Sequence, residues 1–157
     1  MNRVLLILSP TRVSDSCIDA AFEAASRKDA ELVALYILDT LYAFDVEERI
    51  SHEGFLGEAP SGKLLRAVRR ERKRQGVQKL AEIARMAERR GVTFRSEFVE
   101  GEFVSRALDA AQVEAPSVIY VAKSERAAIS RLVSGSAVEE LREAAPCEVA
   151  VHENGSD

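Results

Sequence analysis

Two stretches of this 157-residue chain carry residue types able to hold an anion. The first is Ser134-Gly135-Ser136-Ala137-Val138-Glu139. Ser136 and Glu139 form an S-x-x-E capping box, which announces a helix start. Backbone N–H groups at a helix start point outward and attract phosphate. The loop before it, Ala122–Ser134, offers Lys123, Arg126 and Arg131 against Glu125, with the hydroxyls of Ser124, Ser130 and Ser134. Such a loop can cradle phosphate. Plain capping and a solvated loop account for the same residues.

The second stretch is 63–74. It holds Lys63, Arg66, Arg69, Arg70, Arg72, Lys73 and Arg74 against Glu71, a local net charge of +6. The preceding residues, 40–62, carry Asp45, Glu47, Glu48, Glu53 and Glu58 against Arg49, a net −4. The two blocks can answer each other, or the basic one can meet an acidic partner or nucleic acid. No aromatic residue interleaves it, so it is not a stacking platform for single strands.

Other chemistries lack their residues. The two histidines are His52, in an irregular stretch, and His152, in the tail; neither falls at the ends of the apolar strands where a crevice is expected, which argues against a Ser-His-Asp or Cys-His site. Cys17 and Cys147 have no metal-ligand spacing and read as small buried thiols. Cys17 lies near a helix start, a position that can lower a thiol pKa and give it a redox role. Neither G-x-G-x-x-G nor G-x-x-x-x-G-K-[ST] occurs.

The elements that must position these residues alternate in apolar period. Val4–Leu8, Leu32–Leu38, Val92–Val99, Ser117–Ala122 and Cys147–Val151 read as strands. Between them, 15–28, 63–90, 102–114 and 137–144 read as helices, with Gly76 as a kink in the second and Gly91 as its stop. This alternation predicts a single-domain α/β fold with a parallel sheet and right-handed crossovers. Strands one, two and four are continuously apolar, as central strands are. Strand three alternates, and strand five carries Glu148, features of edges. The order 3-2-1-4-5 satisfies all five, with helices on both faces. It places a ligand crevice where the connections reverse, between Ser9–Thr11 and Ala122–Ser124. The predicted domain covers 1–151, with an irregular insert at 39–62 and a flexible tail at 152–157.

The net charge of −4 argues against whole-surface attraction to nucleic acid or anionic lipid. The longest apolar run, Leu32–Leu38, is far short of the roughly 20 residues of a membrane span. With no signal-type segment at Met1–Leu8, a cytoplasmic protein with no membrane partner is expected.

The pattern resembles the universal stress protein family over nearly the whole chain. The resemblance rests on Val4–Leu8, Ala20-Ala21-Phe22-Glu23-Ala24-Ala25, Tyr36-Ile37-Leu38-Asp39, Gly91-Val92 and Glu100-Gly101. Most specific are Arg131–Val138, with its Gly-Ser helix start, and Ala145-Pro146-Cys147-Glu148-Val149. It implies the same 3-2-1-4-5 sheet, of the adenine nucleotide alpha hydrolase-like kind. It also implies a cytoplasmic homodimer joined through the last strand, 147–151, and the role expected on this reading is that of a non-enzymatic stress-response regulator that binds protein partners.

ATP-binding members resemble G-x-x-G-x9-G-[ST] after strand four, with an Asp ending strand one. Here the first two glycines fall on Ala122 and Glu125, the third on Gly135 before Ser136, and the Asp on Ser9. Ser9, Ala122, Lys123, Glu125, Arg126, Gly135, Ser136 and Ala137 are therefore the candidate remnant of a nucleotide or anion pocket. No cofactor is expected, and ATP binds weakly or not at all. Two alternatives stand beside this: a nucleotide-binding stress protein whose pocket tolerates Glu125, and a protein that engages nucleic acid or an acidic partner through 63–74.

Overall fold

The computed structural model describes residues 2–39, 62–124 and 137–153. The described elements are β1 (Arg3–Leu8), α1 (Asp15–Lys28), β2 (Glu31–Asp39), α2 (Gly62–Arg90), β3 (Phe94–Gly101), α3 (Phe103–Glu114), β4 (Val118–Ala122), α4 (Ala137–Ala144) and β5 (Glu148–His152). The strands form one sheet in the order β3-β2-β1-β4-β5, every pair parallel. Strand limits move by one or two residues from those expected, and β5 takes in His152. The insert 40–61, most of the loop after β4 and the last four residues lie outside the described residues.

The continuous apolar runs are explained by a core on each face of the sheet. Successive side chains of a strand point to opposite faces. Val4, Leu6 and Leu8 of β1 join Ile18 and Phe22 of α1 and Leu80 and Ile83 of α2. Leu5 and Ile7 join Phe103 and Ala107 of α3 and Leu141 of α4. A polar residue anywhere in Val4–Leu8 would be buried without water, and that run has none.

The helices begin and end where local chemistry dictates. Ser14 caps α1, its hydroxyl accepting from the Cys17 N–H at 3.3 Å. Glu102 caps α3, its carboxylate accepting from Val104 and Ser105 N–H at 3.2 and 2.7 Å. Gly91, with φ +65°, takes the left-handed turn that ends α2.

Gly76 makes a close approach to the sheet. The helix continues through it, and it is buried where α2 first meets the sheet. A Cβ built there would lie 2.6 Å from Tyr36 and 2.8 Å from Phe98. These two rings stack across β2 and β3 with centroids 5.6 Å apart.

At the amino ends of the strands, four charges link β1, β2, β3 and α3. Glu114 accepts from Arg95 at 3.0 and 2.5 Å and lies 3.6 Å from Arg3. Arg3 also contacts Glu31, at 3.3 Å. The Arg95 hydrogen bonds, ahead of the opposing cost of burial, hold the Glu114 carboxyl below its ordinary range. A group whose folded pKa is depressed stabilises the fold above its unfolded pKa, about 4.3 for Glu, and that contribution fades as pH falls through the folded value. Glu114→Gln is expected to cost roughly 1–2 kcal/mol at pH 7, limited by the partial exposure of Arg95. Urea denaturation should show that difference shrinking below about pH 4.

Candidate functional site

The site grows from the turn that ends β1. Ser9, 3% exposed, is bridged to Arg12: the Arg12 N–H donates to the Ser9 carbonyl at 3.0 Å, and the Ser9 N–H returns to the Arg12 carbonyl at 3.4 Å. Pro10 fits the second position of such a turn, where its fixed φ is an advantage. The turn sends the Arg12 side chain across to β4. Its Nη1 donates to the Ala122 carbonyl at 3.2 Å, and its guanidinium lies 4.5 Å from the centre of the Phe103 ring.

Arg12 thus spans the two lips of the crevice at the sheet's switch point, between the carboxyl ends of β1 and β4. Burial pushes its pKa down to about 10, and the negative charge of Asp39, at the end of β2, works against that fall. The group is still a cation at neutral pH. Phe103, the first residue of α3, closes one side of it as a cation–π partner.

The expected pocket residues divide as follows. Ser9 and Ala122 lie at the two lips, both buried. Lys123 follows Ala122, but its amine is paired with Glu153 at 2.9 Å, and its N–H donates to the His152 carbonyl at 2.8 Å. Ala137 opens α4, half-buried against the α3–α4 core. Glu125, Arg126, Gly135 and Ser136 lie outside the described residues. Arg12, Asp39 and Phe103 were absent from the sequence-based set. The signal for Arg12 was available: a lone cation inside the turn after β1, one residue beyond the lip Ser9–Thr11.

Cys17 is the small buried thiol expected, and its place near a helix start does not lower its pKa. Cys17 is 1% exposed, and burial pushes its thiol up to about 12, so the thiolate needed for reactivity does not form at neutral pH. Cys147 is also raised, by burial first and then by Glu148. His152 packs beside Tyr120 at the end of β5. Among the described residues, no group of three or more His, Cys, Asp or Glu side chains could hold a metal ion. No described helix is long and apolar enough to cross a membrane.

A five-stranded parallel sheet reversing between β1 and β4, with its crevice at their carboxyl ends, defines the doubly wound, nucleotide-binding-like class of α/β proteins. Within that class, the model of the universal stress protein family matches residues 1–152, and the chain belongs to that family. A universal stress protein of Methanocaldococcus jannaschii is 27% identical over 150 residues, covering 92% of this chain and 79% of its relative. A solved structure of the family from Burkholderia pseudomallei superposes with a TM-score of 0.62, at 24% identity, covering 96% of this chain and 94% of that one. An Arabidopsis thaliana member with AMP bound shares the fold with a TM-score of 0.59, at 14% identity, covering 100% and 94%.

Proposed function

We propose that this stress protein is a non-enzymatic regulator that works as a homodimer through protein partners, with a crevice that holds ATP weakly or not at all. The observation that carries the reading is Arg12. Its side chain lies across the crevice, held by the Ala122 carbonyl and the Phe103 ring. A ribose or base entering between β1 and β4 must first displace it. Lys123, the cation next to the crevice, is occupied by Glu153. From the sequence, Glu125 adds a negative charge where phosphate would approach, and Ser9 lacks the carboxylate that could accept from nucleotide hydroxyls.

The AMP-bound relative supports a second reading, in which this chain also takes a nucleotide once Arg12 moves. Calorimetry with ATP and magnesium separates the two. The expected dissociation constant is weaker than about 10 μM, near −7 kcal/mol; a tighter one rejects the first reading.

Assembly through β5 is supported by its free edge. The His152 carbonyl faces β4, where it accepts from Lys123. Peptide groups of alternate residues face opposite sides, so Val149 and Val151 turn theirs outward, as a row with no strand partner among the described residues that a second copy can complete. A dimeric mass is expected by light scattering at micromolar concentration. Val149→Pro, which deletes one outward donor, should shift it toward monomer.

A further inference from the structure

β5 ends the sheet, and its sequence, Glu148-Val149-Ala150-Val151-His152, is nearly symmetric about its centre. Valines flank a central alanine, with an acid at one end and a base at the other. Val149 is buried in the α3–α4 core, and Cys147 and Val151 are half-buried against it. Glu148, Ala150 and His152 belong to the opposite face of the sheet. There Ala150 packs on the core beneath α1 and α2, and His152 packs beside the Tyr120 ring of β4, with centroids 5.9 Å apart. Glu148 is exposed.

With a second copy joined at β5, as proposed above, this edge permits few alignments. A twofold axis normal to the sheet makes the two strands antiparallel and keeps like faces together. In an antiparallel pair, facing residues turn their peptide groups alike, both toward each other or both away. The His152 carbonyl turns inward, to Lys123, so the peptide groups of Val149 and Val151 turn outward. An outward residue must face an outward residue. The axis therefore passes through a residue position and not between two.

The possible axes differ in what they pair. At Val149, only 148–150 overlap within the strands, and Glu148 faces Ala150. At Val151, only 150–152 overlap, and His152 faces Ala150. At Ala150, the whole of Glu148–His152 is paired. Val149 then faces the second copy's Val151 at both ends, in pairs that exchange N–H···O bonds. Glu148 faces the second copy's His152, also at both ends. Ala150 faces itself in a non-hydrogen-bonded pair, where Cα atoms approach to about 4.5 Å and a small side chain fits best.

We infer that β5 is a self-recognition strand: two copies meet about a twofold axis at Ala150, and the facing Glu148 and His152 select a second copy of this chain over other edge strands. Opposite charges directly across a strand pair attract, and like charges repel. A strand with other end residues, or a shifted axis, leaves Glu148 and His152 without their match. The half-buried Val151 gains the second copy's Val149 as an apolar neighbour.

Cysteine cross-linking reads the axis. In a Cys147→Ser background, with Cys17 only 1% exposed, Ala150→Cys should form a disulfide-linked dimer under mild oxidation, because Cα atoms at about 4.5 Å are within disulfide range. Val149→Cys and Val151→Cys should not, since each would lie roughly 9 Å from its own copy. Native mass spectrometry reads the selection. Glu148→Lys and His152→Glu should each weaken the homodimer, by about two- to thirtyfold. Mixed in equal amounts, the two variants present opposite charges at one end of the paired strands and the native Glu148–His152 pair at the other. Their heterodimer should exceed the roughly one half that random pairing gives. A dimer that Val149→Pro dissolves but Ala150→Cys does not link overturns the axis and leaves assembly through β5 standing. A heterodimer at or below one half overturns the selection. A monomeric parent, or a dimer indifferent to Val149→Pro, overturns both this inference and assembly through β5.

Discussion

Gly76→Val is expected to destabilise the protein by about 3 kcal/mol or more, and Gly76→Ala by about 1–3, although both residues are better helix formers than glycine. In an exposed helix interior the change to alanine would gain up to about 1 kcal/mol. Here the added Cβ meets ring carbons of Tyr36 and Phe98 at 2.6 and 2.8 Å. Those atoms belong to rigid stacked rings, so relief requires α2 to move away from β2 and β3. Overpacking of a tight core typically costs about 1–3 kcal/mol, and the two γ-methyl groups of valine extend the clash. Urea denaturation of the two variants checks the order; a stabilised Gly76→Ala would show that helix propensity outweighs the contact.

Arg12→Ala is expected to tighten ATP binding by tenfold or more over the parent. The guanidinium donates to Ala122 and covers Phe103, so a ligand entering between the lips must break a charge-assisted hydrogen bond and a cation–π contact. Such hydrogen bonds contribute about 1.5–3 kcal/mol, and the ring contact about 0.5–2. The lower values sum to about 2 kcal/mol, worth about thirtyfold in affinity, so recovering even part of that sum gives tenfold. Alanine also exposes the Ala122 carbonyl as an acceptor. If ATP binds more weakly to Arg12→Ala in calorimetry, Arg12 holds phosphate and does not bar the crevice. Arg12→Lys keeps the charge but loses the planar fork, and should fall between the two.

The sheet order was legible because it rests on side-chain period. The all-apolar Val4–Leu8 can only be central, and the exposed Arg95 and Glu97 of β3 mark a strand with one open side. The end of α2 was legible because Gly91 announced it. The switch point was legible as a place, since the strand order alone puts it between β1 and β4. Its occupant was not. Whether Arg12 faces solvent or lies across to Ala122 depends on a turn closed by two hydrogen bonds between Ser9 and Arg12, which no periodicity encodes. The close approach at Gly76 was not legible for a similar reason. A glycine in a helical pattern signals a kink or a close approach, and the Tyr36–Phe98 stack that decides between them comes from two strands distant in sequence.

The central position of β1 sets a constraint on the order of assembly. β1 leaves the ribosome ahead of the other described strands, yet one of its two partners, β4, begins at Val118. The half-sheet β3-β2-β1 can form once Gly101 has emerged. Until Ala122 follows, about 1–4 s later at typical synthesis rates, the most apolar strand has an unpaired edge and a bare second face. An open, flat, apolar edge is a template for pairing with other chains. The nascent protein therefore passes through a state more prone to aggregation than anything the finished molecule exposes, and its yield in the cell will depend on how quickly the second half of the sheet arrives.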